Sequence, residues 1–126
     1  MNISRNYPKV TRTEKAERAV KNGHPWVYGD EVLSVSENTY DGCLVDVVSK
    51  KNRYLGTGFI NSNSKIRVRI ISDNTNDKFD RDFFRRRLIH AIDYRETVMG
   101  SDFDCCRLIF GEADKFPGLT VDKFGP

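Results

Sequence analysis

A segment near the end of the chain alternates between strand-forming and turn-forming residues: Arg107-Leu-Ile-Phe-Gly-Glu-Ala-Asp-Lys-Phe-Pro-Gly-Leu-Thr-Val-Asp122. The apolar runs Leu108–Phe110 and Leu119–Val121 predict two strands, and the glycines, aspartate and proline between them predict the turn of a β-hairpin. A hairpin alone is at best marginally stable and needs further strands or a helix to bury its face. Because only Lys123–Pro126 follow, we expect the hairpin to belong to a folding unit that is incomplete in this chain.

A helix is predicted before this hairpin, from about Arg81 to Met99, with Asp80 as its N-cap and Gly100 as its stop. Its apolar residues fall on one side: Phe84, Leu88, Ala91, Ile92, Val98 and Met99. The run Arg85–Arg87 is expected to point mostly away from that side. Residues 72–77 are polar without apolar periodicity, which predicts a linker.

The first 72 residues carry the signals of a small mixed β-barrel. Five short strands are predicted, at residues 25–28, 31–35, 43–48, 54–60 and 66–71. In the last of these, alternation places Ile66, Val68 and Ile70 on the buried face and Arg67 and Arg69 on the other. The glycines at 56 and 58 indicate a bulge or a close backbone approach. A capping box at Thr11-x-x-Glu14 predicts a leading helix from about Thr13 to Asn22.

Composition excludes several classes of protein. With 38% hydrophobic and 31% charged residues, the 126-residue chain is typical of a globular protein. Its apolar runs are too short to span a membrane and no signal peptide is evident, so a cytoplasmic location is expected. Three cysteines and two histidines lack the spacing of a metal site or disulfide framework. No catalytic motif is found, and Glu112 and Asp114 are interpreted as solvated turn residues.

Basic residues are concentrated in the first half of the chain. Residues 1–72 carry a net charge of +5, and residues 73–126 carry −2. Lysine and arginine recur at every third position from Lys9 through Arg12 to Lys21, which predicts a broad basic helix face. Such a surface binds nucleic-acid phosphates in a salt-dependent manner. The predicted RNA-binding residues are Lys15, Arg18, Lys21, His24, Trp26, Lys51, Arg67 and Arg69. For Trp26 a second interpretation stays open, in which it anchors the core while His24 and Pro25 form a turn.

Four blocks, in order, carry a resemblance to a known family: Gly23-His-Pro-Trp-Val-Tyr28, Asn61-x-x-Ser64-x-Ile66-Arg-Val-Arg69, Phe83-Phe-Arg-Arg-Arg87 and Arg107-Leu-Ile-Phe-Gly-Glu-x-Asp-x-x-Pro-Gly-Leu-x-Val-Asp122. The chain resembles the N-terminal part of the class I S-adenosylmethionine-dependent methyltransferases that modify carbon 5 of a cytosine in large-subunit ribosomal RNA. The last block is the most specific of the four.

The resemblance implies an α+β chain in three parts. Residues 1–72 would form a PUA-like RNA-binding barrel, residues 73–100 a linker and connector helix, and residues 101–126 the first hairpin of a truncated mixed α/β subdomain. In the family, a Rossmann-like domain with a cofactor loop and a nucleophilic cysteine follows. S-adenosylmethionine is therefore implied for the full-length parent and no cofactor for this chain, whose expected partner is ribosomal RNA.

Three functions follow as hypotheses. The first is the RNA-binding N-terminal segment of a 23S rRNA (cytosine-C5) methyltransferase, with the parent an enzyme and this chain alone not. The second is a free-standing PUA-like RNA-binding module without catalytic activity, whose final hairpin would need to be ordered without further strands, for example in a homodimer. The third is a protein-interaction domain whose arginines serve only solvation.

Overall fold

The computed structural model describes residues 7–14, 25–114 and 116–126. The chain forms two compact units, which meet in sequence between Asn76 and Asp77. The first unit is built on a mixed sheet and the second on a helix and a hairpin. Among the described residues, no α-helix combines the length and the apolar character needed to cross a membrane.

The first unit contains one six-stranded sheet with the spatial order β2-β6-β5-β4-β1-β3. Its strands are β1 (Lys9–Arg12), β2 (Trp26–Tyr28), β3 (Val32–Val35), β4 (Leu44–Val48), β5 (Tyr54–Ile60) and β6 (Ile66–Ser72). The pairing of β1 with β4 is parallel and all other pairings are antiparallel. The predicted mixed sheet is thus confirmed. It is a curled half-barrel rather than a closed barrel, because β2 and β3 remain edge strands in the described part of the chain.

Strand β1 was missed by the sequence analysis. Thr11, the predicted cap of the leading helix, instead lies in β1 and pairs with Ser34 of β3 and Val48 of β4. Glu14 is helical, and the remainder of the predicted helix lies outside the described residues. Arg12 was assigned to a basic helix face, but its side chain is fully buried and Nη2 donates to Glu31 Oε2 at 3.4 Å. A strand is recognised from sequence by apolar residues at its buried positions. Because the charged Arg12 occupies a buried position of β1, this pattern is missing there.

The core of the first unit comes from the strands: Val10, Val27, Cys43, Val45, Val47, Leu55, Ile60 and Val68. In β6, Val68 is buried as predicted, whereas Ile66 and Ile70 are only half-buried and Ile71 is buried instead. The register with β5 shifts between Thr57 and Gly58, next to Ile71. The predicted close approach is confirmed at Gly58, where an added Cβ would collide with the carbonyl oxygen of Arg69.

An acidic side chain is buried within this sheet. Asp46 of β4 is 3% exposed, and its Oδ1 accepts a hydrogen bond of 2.6 Å from Thr57 Oγ1 on β5. The Thr57 hydroxyl also lies 2.6 Å from the Tyr54 hydroxyl. A buried carboxylate requires such donors, because burial without them is costly.

The second unit contains helix α1 (Arg81–Met99) and a hairpin of β7 (Cys105–Phe110) and β8 (Thr120–Phe124). The predicted helix is confirmed at both ends: Asp80 accepts a hydrogen bond from Phe83 N at 2.9 Å, and Gly100 has a φ of 54°. Ala91 of α1 packs with Ile109 and Phe116 of the hairpin region.

Asp114 is not the solvated turn residue that the sequence suggested. Its side chain is 10% exposed. Its Oδ2 accepts hydrogen bonds from Phe110 N at 2.7 Å and from Arg95 Nη2 at 3.3 Å. Asp114 therefore links the turn after β7 to helix α1.

Candidate nucleic-acid interface

The predicted RNA-binding residues divide into two groups. Lys15, Arg18, Lys21 and His24 lie outside the described residues. Trp26, Lys51, Arg67 and Arg69 all belong to the sheet unit, where their surroundings are defined.

Trp26 and Arg69 form a pair across neighbouring strands. They are register partners on β2 and β6, and the Arg69 guanidinium carbon lies 5.7 Å from the centre of the Trp26 ring. This is the geometry of a cation–π interaction. Both side chains are half-buried, and Val27 rather than Trp26 supplies the core residue of β2. Trp26 is therefore not among the fully buried core residues, and both interpretations of it stay predictions.

Arg67 lies two positions before Arg69 on β6, and it has no register partner on β2, because the pairing shifts between Val27 and Tyr28. Arg67 Nε donates to Ser64 O at 3.4 Å. Its guanidinium also lies against the backbone of Gly29, since a Cβ added there would be 2.6 Å from Arg67 Nη2. We refer to Trp26, Arg67 and Arg69 as the arginine face.

Asp41 is the carboxylate next to Arg67. It accepts hydrogen bonds from Ser62 N at 2.8 Å and from Ser62 Oγ at 2.9 Å. These bonds, the backbone one first, lower the pKa of Asp41, and the positive charge of Arg67 lowers it further. The aspartate is thus ionised near neutral pH and holds the β5–β6 loop in place beside the arginine.

A recess of about 410 Å³ opens beside Arg67, between the β3–β4 and β5–β6 loops. Tyr40 lines it with a side chain that is 72% exposed. An exposed ring beside a guanidinium is suited to a nucleotide, because the ring stacks on a base and the cation binds a phosphate. The sequence analysis missed Tyr40, which lies in a loop without periodicity; its only signal was an aromatic residue directly before the Asp41-Gly42 turn.

Lys51 is not brought together with this surface. It lies in the loop between β4 and β5, which is closed by a hydrogen bond of 2.9 Å from Ser49 N to Arg53 O. Lys51 is exposed. It precedes β5, whereas Arg67 lies near the other end of that strand, about 20 Å away at the rise of an extended chain. The described cations therefore do not form one continuous phosphate-binding surface.

The chemistry available to the arginine face is binding of polyanions. Guanidiniums form bidentate hydrogen bonds with phosphates, and aromatic rings stack on bases without sequence preference. Within residues 7–14, 25–114 and 116–126, no cluster of three or more histidine, cysteine or acidic side chains is placed to hold a metal ion.

Comparison with known proteins agrees with this architecture. The family model of the PUA-like domain matches residues 10–73. The chain belongs to the PUA-like domain family. The matched residues of this PUA-like domain begin at the second residue of β1 and end directly after β6, so they include five whole strands and most of β1.

Sequence relatives extend the similarity beyond the PUA-like domain. The chain is 32% identical over 120 residues to ribosomal RNA large subunit methyltransferase I of Klebsiella pneumoniae, covering 94% of this chain and 30% of the relative. It is 33% identical over 121 residues to the protein of the same name from Salmonella arizonae, covering 95% and 30%. The chain thus corresponds to an N-terminal segment and spans about 30% of the length of these relatives.

Solved structures show the same fold. A candidate SAM-dependent methyltransferase from Streptococcus mutans superposes with a TM-score of 0.75 at 22% identity, covering 93% of this chain and 30% of that one. A candidate methyltransferase in complex with SAH gives the same TM-score at 23% identity, with the same coverage.

Proposed function

We propose that this chain is the RNA-binding N-terminal segment of an S-adenosylmethionine-dependent 23S rRNA (cytosine-C5) methyltransferase. The observation that carries the proposal is the arginine face: Trp26 pairs with Arg69 at 5.7 Å, and Arg67 lies two residues earlier on the same strand of a PUA-like sheet. The names of the sequence relatives, which are large-subunit ribosomal RNA methyltransferases, support ribosomal RNA as the partner.

Each residue of the face, and Tyr40 in the recess beside Arg67, has a role in this proposal. Arg67 and Arg69 bind phosphates of the RNA backbone, and Trp26 and Tyr40 provide ring faces for unpaired bases. Lys15, Arg18, Lys21, His24 and Lys51 are proposed as further contacts. The methyl transfer itself belongs to the full-length parent, with S-adenosylmethionine as its cofactor and the bacterial cytoplasm as its location.

Charge reversal tests the proposal. We expect Arg67→Glu combined with Arg69→Glu to weaken binding of the chain to a 23S rRNA fragment by several-fold. Because each lost phosphate contact removes about 0.7–0.9 from the slope of log K against log salt, the double variant should flatten that slope by about 1.4–1.8. Fluorescence anisotropy over a salt series measures both quantities.

A matched control comes from the second unit. Arg81 and Arg85 are exposed arginines of α1, so Arg81→Glu combined with Arg85→Glu changes the net charge by the same amount at another place. If both double variants bind equally well, or if the face variant binds like the unmodified chain, the arginine face is not the RNA-binding surface.

A free-standing PUA-like module without catalytic activity is the second candidate. One observation favours it: Ile109 and Phe116 of the hairpin region pack with Ala91 of α1, so the hairpin has a core within this chain. In this case the amides of β7 and β8 exchange slowly in the isolated chain, either as a monomer or as a homodimer. Fast exchange throughout the hairpin would favour the methyltransferase segment instead.

A further inference from the structure

A cleft of about 750 Å³ lies along one side of α1 in the second unit. Helical spacing brings five polar or aromatic side chains to it: Arg86, Arg87, His90, Tyr94 and Arg95. Asp77 and Asp114 complete its polar lining. We refer to this site as the α1 cleft. The sequence analysis had treated the arginine run only as a surface pointing away from the apolar side of the helix.

The two carboxylates of the cleft are already engaged. Asp114 accepts from Arg95 Nη2 at 3.3 Å and from the backbone N–H of Phe110 at 2.7 Å. Asp77 attracts the charge of Arg87. Arg86 is exposed. Together with Arg87 and Arg95 it gives the lining three guanidiniums against two carboxylates. The surplus favours an anionic ligand.

Two features of Arg87 favour the binding of an anion: its partial burial and its fixed position. Partial burial lowers the pKa of its guanidinium, and the attraction of Asp77 opposes this effect. The guanidinium carbon lies 4.4 Å from the centre of the Phe83 ring, which fixes its position. A half-buried guanidinium that has lost part of its water gains more from a phosphate oxygen than a fully hydrated one does.

Tyr94 indicates which class of anionic ligand the cleft binds. Its side chain is 55% exposed, and the Arg95 guanidinium carbon lies 5.8 Å from its ring centre. An exposed ring among guanidiniums is typical of sites for single-stranded nucleic acid, in which bases stack on aromatics while cations follow the backbone. An acidic peptide would use the guanidiniums equally well but would leave the ring without a stacking partner.

We propose that the α1 cleft binds a nucleotide of single-stranded RNA, with a phosphate on Arg86 and Arg87 and the base stacked on Tyr94. The identity of the polyanion rests on the proposed function, whereas the residues belong to a different unit from the arginine face. The chain thus has two RNA-contacting surfaces, one in each compact unit.

The test uses the whole 126-residue chain and a fluorescein-labelled single-stranded RNA of about ten nucleotides, with binding followed by anisotropy. Tyr94→Ala should weaken binding about five-fold or more, while Tyr94→Phe, which keeps the ring, should bind like the unmodified chain. Arg86→Ala should weaken binding and flatten the salt slope by about 0.7. Arg85→Ala is the matched control, because Arg85 is exposed but does not line the cleft. Thermal melting by circular dichroism verifies that each variant is folded.

Several results would overturn the inference. One is equal binding by the Arg86→Ala and Arg85→Ala variants, and another is unchanged binding by Tyr94→Ala. A third is displacement of the RNA by polyglutamate of equal charge as readily as by unlabelled RNA, which would assign the cleft to an acidic protein segment. If Arg67→Glu with Arg69→Glu abolishes binding while the cleft variants bind normally, the inference fails and the proposed function stands. If only the cleft variants lose binding, the cleft stands and the arginine face does not.

Discussion

Replacing Gly58 by alanine tests the close approach of β5 to β6. An added Cβ would collide with the carbonyl oxygen of Arg69 and lie 2.6 Å from its carbonyl carbon and 2.7 Å from Ile70 Cα. Carbon atoms need about 3.5 Å, and these are backbone atoms, so the strands must separate by nearly 1 Å. Overpacking costs about 1–3 kcal/mol and each lost ladder hydrogen bond about 0.5–1.5 kcal/mol. We expect the free energy of unfolding to fall by about 2–5 kcal/mol.

Gly56→Ala, two positions earlier on β5, is the matched control. There the nearest atom to an added Cβ is Ile70 Cγ2 at 2.9 Å, the end of a side chain, with Ser72 O at 3.2 Å. Rotation of the isoleucine relieves much of this contact, so we expect a loss of only about 1–2 kcal/mol. Urea denaturation followed by fluorescence of Trp26, the single tryptophan, reports this sheet. The reasoning is refuted if Gly58→Ala unfolds at the same urea concentration as the unmodified chain, or is perturbed less than Gly56→Ala.

Three further predictions concern the same unit. Thr57→Val removes the hydroxyl that donates to buried Asp46 and should lower the free energy of unfolding by about 1.5–3 kcal/mol; Thr57→Ser, which keeps the hydroxyl, should lose less in the same urea titration. Gly29→Ala places a methyl group 2.6 Å from Arg67 Nη2, the end of a flexible side chain. It should weaken RNA binding in the anisotropy assay while changing stability by only about 0.5 kcal/mol. The lowered pKa of Asp41 means that its charge stabilises the fold above pH about 4 and that this contribution is lost as the pH falls toward the lower folded-state value. The melting temperature should therefore fall more steeply below pH 4 in the unmodified chain than in Asp41→Asn, and parallel curves would contradict the assignment.

The helix of the second unit was predictable because its signals are local. Asp80 caps the first turn through its own side chain, and Gly100 ends the helix through its own backbone conformation. Strand β1 depends on distant partners instead. It lies between β3 and β4, and its buried Arg12 donates to Glu31 of another element, so no window of local sequence shows an apolar alternation there.

The candidate sites show the same division between local and distant information. Alternation along β6 predicts that Arg67 and Arg69 share one face of the sheet, and this stays a prediction. The pairing of Trp26 with Arg69 follows from the register of β2 on β6, which the sequence did not specify. In the α1 cleft, the sequence alone shows that Arg86, His90 and Tyr94 share one side of the helix. Asp114 also lines the cleft, but it lies in the turn after β7, and only tertiary packing brings it to the helix.

The position of β1 has a consequence for any shortened form of this protein. Strand β3 pairs with β1 alone in the described sheet, so loss of β1 would leave β3 without a neighbour. Two hydrogen bonds that hold β1 have their acceptors at its N-terminal end. Asp46 N donates to the carbonyl oxygen of Pro8, directly before β1, at 2.8 Å, and Ser36 N donates to the carbonyl oxygen of Lys9, the first residue of β1, at 3.0 Å. A fragment trimmed to residues 10–73, the extent of the family match, would lack both acceptors. The shortest fragment that retains the whole sheet therefore starts no later than Pro8.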